Sequence, residues 1–241
     1  MYERIREKKL HKKVCSAHEA AALIKDNMVV GFSGFTPSGY PKAVPKALAE
    51  IVNNSNEKLQ IVLLTGASVG EELDGELTKA GIIKRRYPYY SDNKLRFEIN
   101  KGNVSYQDIH LSHFPQQISK KYYGKLDYAI IEAAAITEDG NIIPTTSVGA
   151  SPVFASAANN IIIEINLEKP LEIEGIHDIY TIKSPPNSKP IPLVKVDDRI
   201  GLNYIDINPN KIKAIVFTNL EDDFRLSLIE NKVCAAIADN I

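Results

Sequence analysis

The chain has 241 residues, 44% hydrophobic and 24% charged, an ordinary globular composition that suits one large domain or two small ones. Its 29 Lys and Arg against 30 Asp and Glu leave a net charge of −1, which excludes the basic excess of a nucleic-acid or membrane-surface binder. The basic N-terminus, MYERIREKKLHKK, has no apolar stretch behind it and is not a signal peptide, and the longest apolar run, within Ile130–Ile136, is far too short to span a membrane.

In chain order, Ser16-Ala-His-Glu19 is a capping box that starts a helix running through Ala20 to Lys25. Met28–Phe32 is a short buried strand. The loop SGFTPSGYP follows, then a helix from Lys42 to Val52 with Ala43, Val44, Ala47, Leu48 and Ile51 on one face. Pro41 and Pro45 lie at or within its first turn, where a missing N–H costs little. Gln60–Leu64 is a second strand, ending in Thr65-Gly66-Ala67-Ser68, and Glu71–Lys79 is helix-compatible. Leu126–Ile136 holds a third strand, closed by the hairpin signal Glu138-Asp139-Gly140-Asn141. Ser151-Pro152 predicts a short helix with Ser151 as N-cap and Pro152 at the first helical position. Ile161–Leu167 and Lys213–Thr218 are two more strands. Between Lys169 and Asn210, prolines at 170, 185, 186, 190, 192 and 209 break regular structure, predicting an extended excursion whose Asp197–Gly201 segment turns tightly around a local ion pair.

Strands alternating with helices predict an α/β fold with a mostly parallel central sheet covered on both faces. Ligands of such sheets gather at the carboxyl ends of the strands, so the loops after Phe32, Leu64 and Ile131 are where a site belongs. In GFSGFTPSGYPK, a strand end, three glycines and a helix start make an anion-friendly geometry, though the segment is neither GxGxxG nor a Walker loop. An anion or carboxylate site and a tight turn without a ligand both fit these residues.

The words SGFTPSGYPKAVPKALAE, TGASVGEELDGEL, DIHLSHFPQ, AIIEAAAITEDGNIIPTTSVG, GIHDIYTIKSPP and DRIGLNYI resemble, in one register from about Glu3 to Asn219, the acetyl-CoA hydrolase/transferase family. Its best-understood branch is the succinyl-CoA:acetate CoA-transferases. The resemblance implies the CoA-transferase fold, with residues 1–222 as the N-terminal domain and 223–241 as a cut interdomain linker helix. The family's enzymes are about twice as long and pair two similar α/β domains. A glutamate of the C-terminal domain attacks the acyl-CoA carbonyl to give an acyl-glutamyl anhydride, and CoA returns to form a glutamyl-CoA thioester. A second carboxylate then takes the CoA. That glutamate, the oxyanion-hole glycine and the main CoA-binding loop have no counterpart here, so no catalytic residue is expected in this chain.

By the same resemblance, Gly34, Phe35, Thr36, Gly39, Tyr40, Lys42, Ser68 and Ser91 border the cleft on the substrate side. A hydroxyl suits a carboxylate substrate because it donates one hydrogen bond without adding charge; plain turn-capping is the alternative for Ser68 and Ser91. The chain departs from the family at Ala150, where asparagine is frequent, and at Leu220-Glu221-Asp222-Asp223, acidic where some members carry an arginine for CoA phosphates. Both departures put acyl specificity and any CoA contact from this half in doubt.

Other residues have competing readings. Glu132 is a nucleophile, an acceptor for loop N–H groups or an interdomain contact. His110 and His113 form HLSH, not the spacing of a metalloprotease helix, and no metal is expected. Tyr122-Tyr123 and the Tyr87–Tyr90 cluster read as packing or cleft wall, because no basic groove accompanies them. Cys15 and Cys234 read as buried or half-buried free thiols of a reduced compartment, with the cytoplasm as the setting. The predicted partners are an acyl-CoA, a small carboxylate, a C-terminal domain of the same enzyme and further copies of the chain. Neither nucleic acid nor a membrane is expected, and CoA enters as a thioester substrate with no tightly bound cofactor. Val233, Ala236, Ile237 and Ile241 recur at helical spacing with no terminating signal, which predicts a chain cut inside an amphipathic helix. Three functions remain in competition: a CoA-transferase half, an acetyl-CoA hydrolase half, or a stand-alone ligand-binding domain. A sugar-phosphate isomerase of the wider superfold lacks its motifs here.

Overall fold

A computed structural model describes residues 1–55, 58–222 and 232–240. Its centre is a sheet of eight strands. Seven run in the order β4 (Ser105–Tyr106), β3 (Ile83–Tyr87), β2 (Ile61–Leu64), β1 (Val29–Phe32), β5 (Tyr128–Ile136), β7 (Asn160–Asn166) and β8 (Ile212–Thr218). All their pairings are parallel, and the one antiparallel partner is β6 (Ile142–Pro144), which folds back on β5. The mostly parallel sheet and the hairpin at residues 138–141 are as the sequence reading has them.

Alternation along the strands feeds two cores. Tyr128 and Ile130 of β5 face one way, with Val30, Phe32, Leu63 and Ala214. Ala129 and Ile131 face the other, with Ile161, Ile163 and Ile215. The first face is covered by α1 (Ala17–Ala21), α2 (Ala43–Asn53) and α3 (Glu76–Lys79). The second packs on α5 (Phe114–Ser119) and α6 (Ser151–Ala157). The apolar stripe of α2 buries Val44, Ala47 and Leu48 as its spacing predicts.

The order reverses between β1 and β5: β2, β3 and β4 stack on one side, β7 and β8 on the other. That is a topological switch point, the place beyond the carboxyl ends of the strands where open α/β sheets generally take their ligands.

Several elements differ from the sequence reading. The capping box at Ser16 is present, but α1 stops at Ala21, where Leu23 and Ile24 tighten into turn bonds to the Ala20 and Ala21 carbonyls. Glu71–Gly75 forms a wide π-type turn before α3 begins. Strands β3 and β4 and helices α4 (Asn93–Asn100) and α5 arise where the sequence suggested no element. Ile83-Lys84-Arg85-Arg86-Tyr87 lacks strand-like alternation because one of its charges, Arg86, is buried by a partner remote in sequence. In α6 the N-cap is Ala150, and Ser151 is already helical. The Asp197–Gly201 turn has no internal ion pair: Asp198 accepts from the Val194 and Lys195 amides, and Arg199 donates to the Gly175 and His177 carbonyls. The terminal helix is α7 (Lys232–Ala238), all of it exposed, so Cys234 is an exposed thiol and Cys15 a half-buried one. Residues 223–231 of the expected linker helix lie outside the described residues, as do Ile241 and Asp223 of the acidic segment. Among the described residues no helix is long and apolar enough to cross a membrane.

Candidate functional site

Three loops meet at the switch point. The first leaves β1 at Ser33 and enters α2; the second leaves β2 at Thr65; the third follows β6 through Thr145 to Ala150. The Thr36 amide donates to the Ala67 carbonyl and the Val69 amide to the Thr36 carbonyl, so the first two loops pair like short strands. Ser38 and Thr146 share a hydroxyl–hydroxyl bond of 2.6 Å, and the Ser147 hydroxyl donates to the Ser38 carbonyl. Two glycines make the approach feasible. A Cβ on Gly34 (φ +116°) would meet Ser68 Oγ at 2.5 Å, and one on Gly149 (φ +50°) would meet the Gly34 carbonyl oxygen at 2.3 Å.

Beneath these loops lies a buried ionic network. Lys42 Nζ donates to Glu132 Oε2 at 2.7 Å and the Tyr40 carbonyl at 2.9 Å, and sits 2.8 Å from Asp222 Oδ1. These three contacts use all three ammonium protons. Lys169 reaches Asp222 Oδ2 at 2.5 Å. Glu132 also accepts from Thr145 Oγ1 and Asn166 Nδ2, while its amide donates to Ser33 Oγ. Lys42 and Asp222 are fully enclosed at the side chain, and Glu132 is 1% exposed. Two ammonium and two carboxylate groups balance, the condition under which charges can be held away from water.

Burial pushes the Glu132 carboxyl above its ordinary range, with Lys42 opposing it. Burial also works against the Lys42 charge, but Glu132 and Asp222 overcome it and hold that ammonium above its ordinary value. Burial likewise disfavours ionised Asp222, and hydrogen bonds from Lys169 and Lys42 outweigh it, holding that carboxyl low.

Glu164 stands beside Glu132 on the adjacent strand, in register with it. Its two oxygens accept from the Lys42, Ala43 and Val44 amides at 2.7–3.0 Å. It therefore caps α2, whose own N-cap, Lys42, offers no side-chain acceptor. Complete burial raises its carboxyl to about 7 against those three donors.

A second buried pair supports the loop after β2. Arg86 holds Asp74 in a two-pronged bond and also donates to Thr65 Oγ1 and the Tyr87 and Ser68 carbonyls. Every guanidinium N–H finds a partner.

The structure brings Gly34, Thr36, Gly39, Tyr40, Lys42 and Ser68 to one sheet edge, with Phe35 and Thr36 exposed there. Tyr40 and Lys42 are enclosed: the Tyr40 hydroxyl donates to Glu72 Oε2 at 2.6 Å, and Lys42 is committed to the network. Ser68 is fully buried, and its hydroxyl has no hydrogen-bond partner among the described residues. Ser91 is exposed and has no bond to the other seven. Glu164, Asn166, Lys169, Arg86 and Asp74 went unrecognised in the sequence. For Glu164 and Asn166 the signal was polarity inside an apolar strand, NIIIEIN of β7; Arg86, Asp74 and Lys169 lie in polar segments that gave none. Among the described residues no group of His, Cys, Asp and Glu could hold a metal ion; the exposed His110 and His113 rings lie 5.4 Å apart, and His110 Nδ1 bonds the Ser112 hydroxyl and accepts from its amide. Tyr87, Tyr123, Phe114 and Phe154 form a chain of ring contacts over the second core, and Tyr90 packs edge-on against Tyr106.

The model of the acetyl-CoA hydrolase/transferase N-terminal domain matches residues 1–217. The chain belongs to this family. It is 49% identical to a succinyl-CoA:acetate CoA-transferase of Clostridium kluyveri across 99% of this chain and 44% of the relative. It is 40% identical to an acetyl-CoA hydrolase of Saccharomyces cerevisiae across 99% of the chain and 47% of that protein. The fold is that of CoA-transferases: glutaconate coenzyme A-transferase from Acidaminococcus fermentans superposes with a TM-score of 0.53 at 14% identity, covering 86% of this chain and 76% of the other. The chain spans less than half the length of the curated family relatives it matches.

Proposed function

We propose that this chain supplies one wall of a CoA-transferase that exchanges CoA between a short-chain acyl-CoA, succinyl-CoA or acetyl-CoA, and a small carboxylate. The exchange runs through a glutamyl-CoA thioester whose glutamate is not among these residues. One observation carries the second half of this reading. The carboxylates clustered at the switch point, Glu132, Glu164 and Asp222, are all buried and already bound to ammonium or amide donors. A nucleophilic carboxylate needs a free lone pair facing the acyl carbon. Glu132 in particular is held by Lys42, Thr145 and Asn166, so its part here is structural.

On this reading residues 1–222 form the N-terminal domain and 223–241 lead toward a C-terminal partner domain. Thr36, Gly34, Gly39 and Ser68 line the substrate side, with Phe35 and Ser91 as exposed wall, and Tyr40 and Lys42 act from beneath it. CoA is handled as a substrate, the assembly contains more than one copy, and it works in the cytoplasm. A polypeptide of these 241 residues alone is inactive. Incubating it with succinyl-CoA and acetate and following acetyl-CoA formation tests this; turnover near that of a full-length family enzyme overturns it. The likeness to a yeast acetyl-CoA hydrolase keeps a second reading in play, in which water intercepts the same intermediate. Thioester cleavage by the complete protein, measured with and without an acceptor carboxylate, separates the two.

A further inference from the structure

Asp222 belongs to the acidic segment that follows β8. Its side chain faces inward instead of toward solvent. Oδ1 accepts from the Gly39 amide at 3.3 Å and lies against Lys42, while Oδ2 accepts from Thr146 Oγ1 at 3.3 Å and from Lys169. Two residues earlier, the Leu220 carbonyl accepts from Asn166 Nδ2 at 2.7 Å. A stretch that leaves the sheet after β8 thus returns over the carboxyl ends of β5 and β7 and is pinned there by buried polar bonds.

We infer that Asp222 is a positioning residue: its single carboxylate sets the spacing between the Gly39 loop and the Thr145–Ser147 loop, the two walls of the candidate cleft. The geometry singles out this group. Gly39 reaches it from the β1 loop, Thr146 from the β6 loop, and Lys42 and Lys169 hold its charge from below. The Ser38 and Ser147 bonds close the same gap nearer the surface, but they join groups that are partly open to water. Water competes for such bonds and cannot compete for the buried carboxylate. Any displacement of the chain at residues 220–222 would therefore be felt at Gly39 and Thr146 together. The inference rests on the reading of these loops as cleft walls, yet its test needs no turnover.

The test is residue-resolved amide hydrogen exchange on the 241-residue chain, wild type against Asp222→Asn, Thr146→Val and Ser38→Ala. Asparagine keeps the shape and one acceptor but loses the charge. The expected result for Asp222→Asn is exchange at Ser38–Tyr40 and Thr146–Val148 about tenfold or more faster beyond any uniform rise of the β5 and β7 amides, which report only the lost global stability. The Gly39 amide proton resonance should also shift upfield as its acceptor loses charge. Thr146→Val removes the bonds of Oγ1 to both Asp222 and Ser38, and Ser38→Ala, which removes only the second, is its control; Thr146→Val should loosen Thr146–Val148 more than Ser38→Ala does and leave the Gly39 amide protected. Unchanged exchange in both loops for Asp222→Asn overturns the inference, as does equal acceleration throughout the sheet. Should Asp222→Asn fail to fold, Thr146→Val against Ser38→Ala decides: equal loosening of Thr146–Val148 in the two overturns the inference.

Discussion

Replacing Lys42 with methionine removes the cation at the middle of the buried network while keeping most of the side chain's volume. The structure supplies the magnitude. Three polar contacts of 2.7–2.9 Å are lost at a site with no solvent access. Among the described residues Glu132 keeps Thr145 and Asn166 but no counter-ion of its own, and Asp222 keeps the Gly39 amide, the Thr146 hydroxyl and one cation, Lys169. Breaking a buried pair by deleting one partner costs about 3–5 kcal/mol, because the survivor stays buried and uncompensated. Against a domain stability of about 5–15 kcal/mol this is a large fraction. Urea unfolding followed by circular dichroism, with unchanged slope, gives the value directly. The double variant Lys42→Met/Glu132→Gln should recover part of the loss, since the stranded carboxylate is gone, and the cycle isolates the coupling. A loss below about 1 kcal/mol for Lys42→Met would refute the reasoning, for it would place the ammonium in contact with water or its partners in other hands.

Further outcomes follow from the same geometry. Glu164, raised from 4.5 to about 7, stays protonated in the folded chain while the unfolded chain ionises. Its contribution is fully present below pH 4.5 and disappears as pH rises through 7, a span of up to about 3 kcal/mol, and Glu164→Gln should flatten that part of the stability–pH curve. Gly149→Ala drives a methyl group into the Gly34 carbonyl at a left-handed φ; thermal unfolding should show a loss of about 1–3 kcal/mol. Ser68→Ala removes a buried hydroxyl without a hydrogen-bond partner among the described residues, so stability should hold or rise by up to about 1 kcal/mol. In the complete enzyme the same change should lower turnover if that hydroxyl meets substrate, which kcat and KM would register separately.

Local pattern carried much of the fold. The short apolar runs VVGF and IVLL and the period-3.6 stripe of AVPKALAEIV sufficed for β1, β2 and α2, because both faces of the strands and one face of the helix meet an apolar core. The same stripes did not reveal β3. Its Arg86 is buried only because Asp74, twelve residues earlier, is brought against it by the turn at Glu71–Gly75. The motif SGFTPSGYPK, with five other words, marked the family from sequence, and its Gly34 and Gly39 sit at positive φ against the side chains of Ser68, Tyr40 and Ser147. Which of its side chains face outward was beyond the sequence. Lys42, a charged residue at a helix start, reads as a ligand contact until Glu132 and Asp222, 90 and 180 residues further along the chain, are seen converging on it, with Lys169 holding the other oxygen of Asp222. Sequence fixes periodicity and local backbone needs, which are properties of neighbours along the chain. Charge burial depends on groups that only the sheet's strand order brings within hydrogen-bond reach, and so the tertiary structure alone decided it.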